Sequence, residues 1–146
     1  MKQRPLWQCK KCRRYFANRN QSHSCGRLDL KHHFKGKRPE IRALFDEVVA
    51  AIRAVGPVRV LPEKTRIAFQ VRMSFAQVTP KAKWLDGHLV LARRVEDACF
   101  RTVETFSPRN HVHTFRLERR EEVDSRFRGW LAEAYALGEQ RHLRRR

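Results

Sequence analysis

Three cysteines and a histidine, Cys9, Cys12, His23 and Cys25, fall within one 17-residue stretch of a 146-residue chain. Thiolate sulfur and imidazole nitrogen are the donors that a tetrahedral zinc ion takes, and a CxxC such as Cys9-Lys10-Lys11-Cys12 folds into a knuckle that turns two thiolates toward one ion. Lys10, Lys11, Arg13 and Arg14 around it favour the ionised thiols. His23 supplies the fourth donor on spacing, with His32 or His33 as alternatives after a turn at Gly26. One structural zinc is expected, and a basic segment this short would fold and bind metal in a single event, with Trp7 and Phe16 as its small core. The plain alternative is a disordered tail with incidental cysteines. Cys99, far from the cluster, reads as a small core residue.

The same stretch is the electrostatic part of the chain. The whole sequence holds 33 Lys and Arg against 15 Asp and Glu, a net charge of +18. Residues 1–38 carry twelve of those bases and one acid, Asp29, so eleven of the eighteen charges sit in the first quarter. Arg13, Arg14, Arg19, Arg27, Lys31, Lys35, Lys37 and Arg38, interleaved with Asn18, Asn20 and Gln21, are suited to phosphates of DNA or RNA; charge of this kind gives affinity without sequence readout. The alternative is that the charge only keeps a small module in solution.

A second set of polar residues lies further along. Glu63 and Lys64 open a predicted strand that continues through Gln70 and Arg72, and His111 and His113 stand two apart on another, which puts both imidazoles on one face. Were the two strands close, Glu63, Lys64, Arg72, His111 and His113 would line one pocket able to bind a phosphate-like anion or do acid–base chemistry. His88 or Glu63 would be a third ligand if the histidines held a metal. The competing reading is a pair of strand histidines beside an ordinary ion pair of Glu63 with Lys64 or Arg66. No nucleophile elbow, phosphate-binding glycine loop or metalloprotease helix is present, and GxGxxG is absent.

The elements that must position these groups follow from periodicity. Ile41, Leu44, Phe45, Val48, Ile52 and Val55 recur at helical spacing after Pro39, and Gly56-Pro57 ends the run. Strands are expected at Val58–Leu61, Thr65–Phe75, Ala76–Trp84, His88–Ala92, Arg101–Phe106 and His111–Leu117, with Asp86-Gly87 as the turn of a hairpin. Val123, Phe127, Trp130, Leu131 and Ala134 mark a last helix capped by Asp124 or Ser125, with Glu121 and Glu122 in its acidic first turn and Arg141 and Arg144–Arg146 at its far end. Trp84, Trp130 and Phe127 read as core. The fold class is α+β, a mainly antiparallel sheet flanked by an N-terminal and a C-terminal helix and preceded by a small zinc-finger-like module; the basic joint Gly36-Lys37-Arg38-Pro39 divides the chain into 1–38 and 39–146. The longest apolar run, Val48–Ile52, is far short of the about 20 residues that a membrane span needs, and no secretory signal is evident. A cytoplasmic protein with reduced cysteines is expected.

Three stretches carry a family resemblance: Leu61-Pro62-Glu63-Lys64-Thr65-Arg66-Ile67-Ala68-Phe69-Gln70-Val71-Arg72-Met73-Ser74-Phe75, Trp84-Leu85-Asp86-Gly87-His88-Leu89, and Phe106-Ser107-Pro108-Arg109-Asn110-His111-Val112-His113-Thr114-Phe115. With the flanking helices they cover residues 34 to 143, and this part resembles the bacterial family called domain of unknown function 5655. The resemblance implies a compact α+β domain that often stands beside other modules and assigns no activity. The Cys9, Cys12, His23, Cys25 segment is similar to the short zinc-finger-like extensions ahead of some such domains. The leading functional reading is a non-enzymatic, zinc-stabilised nucleic-acid-binding accessory protein. An enzyme or anion-binding domain built on the Glu63, Lys64, Arg72, His111, His113 set comes second, and a module that docks a protein partner through the finger third.

Overall fold

The computed structural model describes residues 5–21 and 29–140, so His23, Cys25, Arg27, Arg141 and Arg144–Arg146 lie outside the described residues. A short hairpin of β1 (Trp7–Gln8) and β2 (Tyr15–Phe16) comes first. Then follow α1 (Leu30–Phe34), α2 (Pro39–Val55), β3 (Arg59–Pro62), β4 (Ile67–Gln70), β5 (Ser74–Pro80), β6 (Leu85–Leu91), β7 (Phe100–Ser107), β8 (Asn110–Leu117) and α3 (Ser125–Gly138). The six longer strands form one sheet in the order β3-β4-β5-β6-β8-β7, every neighbouring pair antiparallel. The fold is α+β, with the two long helices on one face of the sheet.

α2 forms where the apolar spacing predicts it, residue for residue. Pro39 occupies the first turn, where its missing N–H costs nothing, and the Gly56 N–H closes the end on the Ile52 carbonyl. Leu44, Phe45, Val48 and Ile52 turn inward and are at most 2% exposed. Phe45 stacks against Phe69 of β4 at 6.1 Å between centroids. α3 begins at the Asp124 cap, whose carboxylate accepts from the Phe127 N–H at 2.9 Å. Its Phe127 ring meets Phe115 edge-on at 5.0 Å. Leu30 and Phe34 pack on the same core, with Phe34 5.1 Å from Phe45, so α1 is part of the larger body although it precedes the basic joint. Among the described residues no helix is long and apolar enough to cross a membrane.

Three sequence expectations need correcting. Asp86-Gly87 is not a turn: both residues lie inside β6, and the turn is made by residues 81–84, closed by the Lys81 N–H on the Trp84 carbonyl. Gly87 is in the strand because the Phe115 ring and the Gln77 carbonyl press against its Cα. The stretch Thr65–Phe75 is not one strand but is broken at residues 71–73, where the register also shifts between Phe69 and Gln70. Finally, Glu121 and Glu122 belong to a separate 3-10 turn at Arg120–Glu122, and the Glu122 carboxylate accepts from the Glu118 and Arg119 N–H groups at 2.7 and 2.8 Å instead of serving α3.

A methyl group on Gly87 would lie 2.5 Å from the Gln77 carbonyl oxygen and 2.6 Å from the Phe115 ring, whereas one on Gly129 of α3 meets nothing within 4 Å. Gly87→Ala is therefore expected to lower the free energy of unfolding by about 2 kcal/mol through overpacking. Gly129→Ala should raise it by up to about 1 kcal/mol through helix propensity. Urea denaturation of the two variants beside the parent chain checks both signs.

Candidate functional site

The Cys9–Cys12 segment is the loop of the first hairpin. Trp7 pairs with Phe16 and Gln8 with Tyr15, which leaves Cys9 to Arg14 to make the reversal. The Cys9 N–H donates to the Arg14 carbonyl at 2.9 Å and the Arg13 N–H to the Cys9 carbonyl at 2.8 Å. Arg13 takes a left-handed φ of 63° to do so, a conformation that few residues other than glycine adopt. Cys9 and Cys12 are each only 6% exposed, and with Phe16 and Trp7 they form a small core of their own. The Arg14 Nε lies 3.5 Å from the Cys12 Sγ. His23 and Cys25, the other expected donors, are outside the described residues. Among the described residues no three His, Cys, Asp or Glu side chains gather where a metal would be held, so neither His32 nor His33 joins Cys9 and Cys12. His33 is buried elsewhere, its ring hydrogen-bonded to the Glu63 backbone.

The other predicted set does not converge. Glu63 sits in the β3–β4 turn, donating its N–H to the Arg66 carbonyl and pairing its carboxylate with the Arg66 guanidinium at 3.3 Å. Lys64 is exposed in the same turn. Arg72 is at the opposite end of these strands, in the β4–β5 turn, with its Nε on Gln140 at 3.0 Å. β5 and β6 separate β4 from β8, a gap of about 14 Å at ordinary strand spacing. His111 and His113 do share a face, but it is the face that the helices cover, and both are buried.

Each of these histidines spends both ring nitrogens on the fold. Thr105 lies 2.8 Å from the His111 Nδ1 and the Pro108 carbonyl 3.0 Å from its Nε2. The carbonyl can only accept, so Nε2 carries the proton and the Thr105 hydroxyl donates to Nδ1. For His113 the Val95 N–H donates to Nε2 at 2.9 Å, which places the ring proton on Nδ1, directed at the His111 carbonyl at 2.9 Å. His113 is completely buried, and that burial pulls its pKa below 6.5 against the opposing effect of the bond to His111. Burial lowers His33 and His88 in the same direction. Cys99 is half-buried near Asp97, and burial first, then the carboxylate, pushes its thiol up to about 12, which leaves it un-ionised.

A site that sequence reasoning missed lies where the α2–β3 loop, β3, the end of β4 and the end of α3 meet. Arg59, Gln70, Val71, Arg72 and Glu139 line a cavity of about 270 Å³ there. Arg59 is opposite Gln70 in the β3–β4 register, which stands the two side chains next to each other on one face. Gln70 is 1% exposed, and neither its amide nitrogen nor its oxygen has a hydrogen-bond partner among the described residues. The Arg59 guanidinium also reaches back to the hairpin, 3.5 Å from the Tyr15 carbonyl and 5.6 Å from the centre of the Tyr15 ring. In the sequence Gln70 stands out within an apolar run and Arg72 is read into a different pocket; that Arg59 and Arg72 flank Gln70 depends on pairing and on a turn that periodicity does not specify.

A histidine whose pKa is lowered by folding binds its proton more readily in the unfolded chain. The stabilisation from His33, His88 and His113 is thus complete above the ordinary value of 6.5 and is lost as the pH falls from there through the lower folded-state values. The melting temperature should hold from about pH 8 to pH 6.5 and drop toward pH 5. His113→Gln, whose amide oxygen can still accept from Val95, should flatten part of that drop. An unchanged pH profile in the variant would mean that His113 is not one of the groups responsible.

The sequence matches the family described as Domain of unknown function (DUF5655) over residues 30–138. No curated protein and no solved structure matches it. The match starts with α1 and ends with the last residue of α3, so it takes in the whole six-stranded sheet and its helices and leaves out the cysteine hairpin. Over that span the chain belongs to the DUF5655 family.

Proposed function

We propose that this chain is a nucleic-acid-binding accessory protein without catalytic activity of its own, which grips the phosphate backbone through its basic N-terminal segment. The observation that carries the reading is where the charges are left unbalanced. All seven ion pairs among the described residues join side chains between Arg42 and Glu133. Lys10, Lys11, Arg13, Arg19, Lys31, Lys35, Lys37 and Arg38 take part in none of them, and Arg13, Arg19, Lys35 and Arg38 are exposed. Cations that the protein does not neutralise itself attract a polyanion and release its counterions. The histidines fit the same reading, since His111 and His113 have committed both nitrogens to the protein's own groups.

The segment would be held by one zinc ion on Cys9, Cys12, His23 and Cys25, the metal acting as a structural staple. The fit rests on the two buried cysteines brought together at the tip of the hairpin. Strands of two residues do not stand alone in water, and a cation–π contact like that of Arg59 on Tyr15 is worth about 0.5–1 kcal/mol at an exposed site. A core of two thiols and two rings needs a further constraint, which a metal supplies.

Fluorescence anisotropy with labelled single- and double-stranded DNA and RNA over a salt series should show binding that weakens steeply with salt. Lys10→Ala with Lys11→Ala and Arg13→Ala should reduce the slope of log K against log salt by about 2 to 3, near one for each phosphate no longer neutralised. Failure of the parent chain to bind any of the four at moderate salt would end the proposal. Elemental analysis should find one zinc per chain, absent after Cys9→Ser with Cys12→Ser; a metal-free parent chain, or a variant that keeps its zinc, would rule out the staple.

A further inference from the structure

Beyond the backbone grip of the N-terminal segment, we infer that the cavity between β3, β4 and the end of α3 binds one nucleotide unit, phosphate on Arg59 and Arg72 and base edge on Gln70. The argument starts from the Gln70 amide. It is buried, donor and acceptor together, and among the described residues no group satisfies either one. Evolution of an ordinary strand would place an apolar residue there, since an unpaired buried amide costs stability that Leu would not. A primary amide presents its donor and acceptor side by side, the arrangement that pairs with the edge of a nucleobase. Two guanidiniums on the same lining supply the planar, permanently charged forks that suit a phosphate. Glu139 completes the lining with an acceptor for the hydroxyl or amino donors between those two ends. Phosphate recognition here depends on side chains, in keeping with a sequence that has no phosphate-binding glycine loop.

Gln70 is sealed in the free protein, and its neighbour in the register is Arg59. Arg59 leans on the exposed hairpin through one long hydrogen bond and a ring contact. These are weak tethers, so a phosphate can draw the guanidinium away from Tyr15 and open the way to the amide. This inference does not depend on the hairpin's grip on the backbone, because every residue of the cavity lies within residues 57–139.

The test is calorimetric titration of the full chain with nucleoside monophosphates, inorganic phosphate and a short single-stranded oligonucleotide at moderate salt. Gln70→Leu leaves the net charge at +18, so any effect it has cannot come from diffuse attraction to a basic protein. It is expected to fold at least as stably as the parent and to weaken nucleotide binding about tenfold, the loss of a paired amide edge, while leaving inorganic phosphate unaffected. Arg59→Gln and Arg72→Gln should weaken phosphate and nucleotide alike. A tenfold effect of Gln70→Leu on the free nucleotide assigns the site to a small ligand, and the same effect confined to the oligonucleotide assigns it to a base within a strand; either outcome supports the inference. Equal affinity of Gln70→Leu and the parent for both the free nucleotide and the oligonucleotide overturns it. The Lys10, Lys11, Arg13 triple variant should keep the cavity's affinity for nucleotide, which separates failure of this site from failure of the backbone grip.

Discussion

β6 and β7 run parallel with β8 between them, so the chain leaving β6 must cross over β8 before it can return as β8 itself. It does so in the eight residues 92–99 and with no helix, although parallel strands of one sheet usually need a dozen or more residues and a helix to connect them. The crossing is held along its length. Arg93 makes two bonds to the Glu133 carboxylate of α3 at 3.0 and 2.9 Å, and Asp97 pairs with Arg126 of the same helix at 2.8 Å. Arg94 donates to Thr105 at 2.8 Å, the Thr105 hydroxyl donates in turn to His111, and His111 closes the β7–β8 turn on Pro108. Val95 is buried at the centre, its N–H satisfied by His113. A buried backbone N–H left unpaired would cost about 1–3 kcal/mol. Only a neutral imidazole with a free Nε2 can accept that bond, so the path of the crossover depends on the protonation state of one ring.

That dependence explains why the histidines were misleading in the sequence. Two imidazoles at strand spacing with charged residues nearby are what a catalytic or metal site looks like in one dimension, and the alternation rule correctly puts His111 and His113 on one face. It does not say which face. The partners that decide the matter, Val95 and Thr105, are 18 and 6 residues away and are brought close by a crossover that periodicity does not reveal. Gly87 shows the same limit in reverse. Asp-Gly is the commonest hairpin signal, and it failed here because a residue 28 positions later, Phe115, needs the space over that Cα. Where the controlling interactions are local the sequence was legible: α2 follows from a 3.6-residue apolar spacing with Pro39 and Gly56 at its ends, and α3 from the Asp124 cap. The strands β7 and β8 were likewise readable from their own residues, and the cavity was not, because its lining is assembled from three separate stretches of chain.

The distribution of charge separates the two parts of the molecule more sharply than the count of charges does. Within the family domain Arg and Lys are abundant, yet many are used internally: Glu47 alone holds both Arg120 and Arg128, at 3.2 and 2.9 Å, and so joins α2 to the approach and first turns of α3. Arg116 lies over the Trp84 ring at 4.0 Å while its Nε bonds Asp86, which fastens β8 to the β5–β6 turn. These pairs are half-exposed and individually weak, but each one removes a cation from the set available to a partner. The N-terminal segment has almost no acid with which to do this. Its charge is therefore a property of its surface and not of its fold.

The boundary of the family match gives this contrast a consequence for function. Residues 30–138 contain the sheet, both long helices and nearly all of the cavity lining, and the basic hairpin lies outside them. Gln70 and Arg72 lie inside that span, as do Lys31, Lys35, Lys37 and Arg38 of the proposed backbone grip, whereas Lys10, Lys11, Arg13 and Arg19 lie outside it. Arg59 stands at the junction, since it lines the cavity and also reaches the Tyr15 carbonyl at 3.5 Å. A guanidinium drawn toward a phosphate in the cavity would give up part of its already long contact with that carbonyl. Occupation of the cavity would then loosen the hairpin from β3, and a hairpin pulled toward a polyanion would in turn release Arg59 toward the cavity. Such a coupling would act in both directions, as linkage requires.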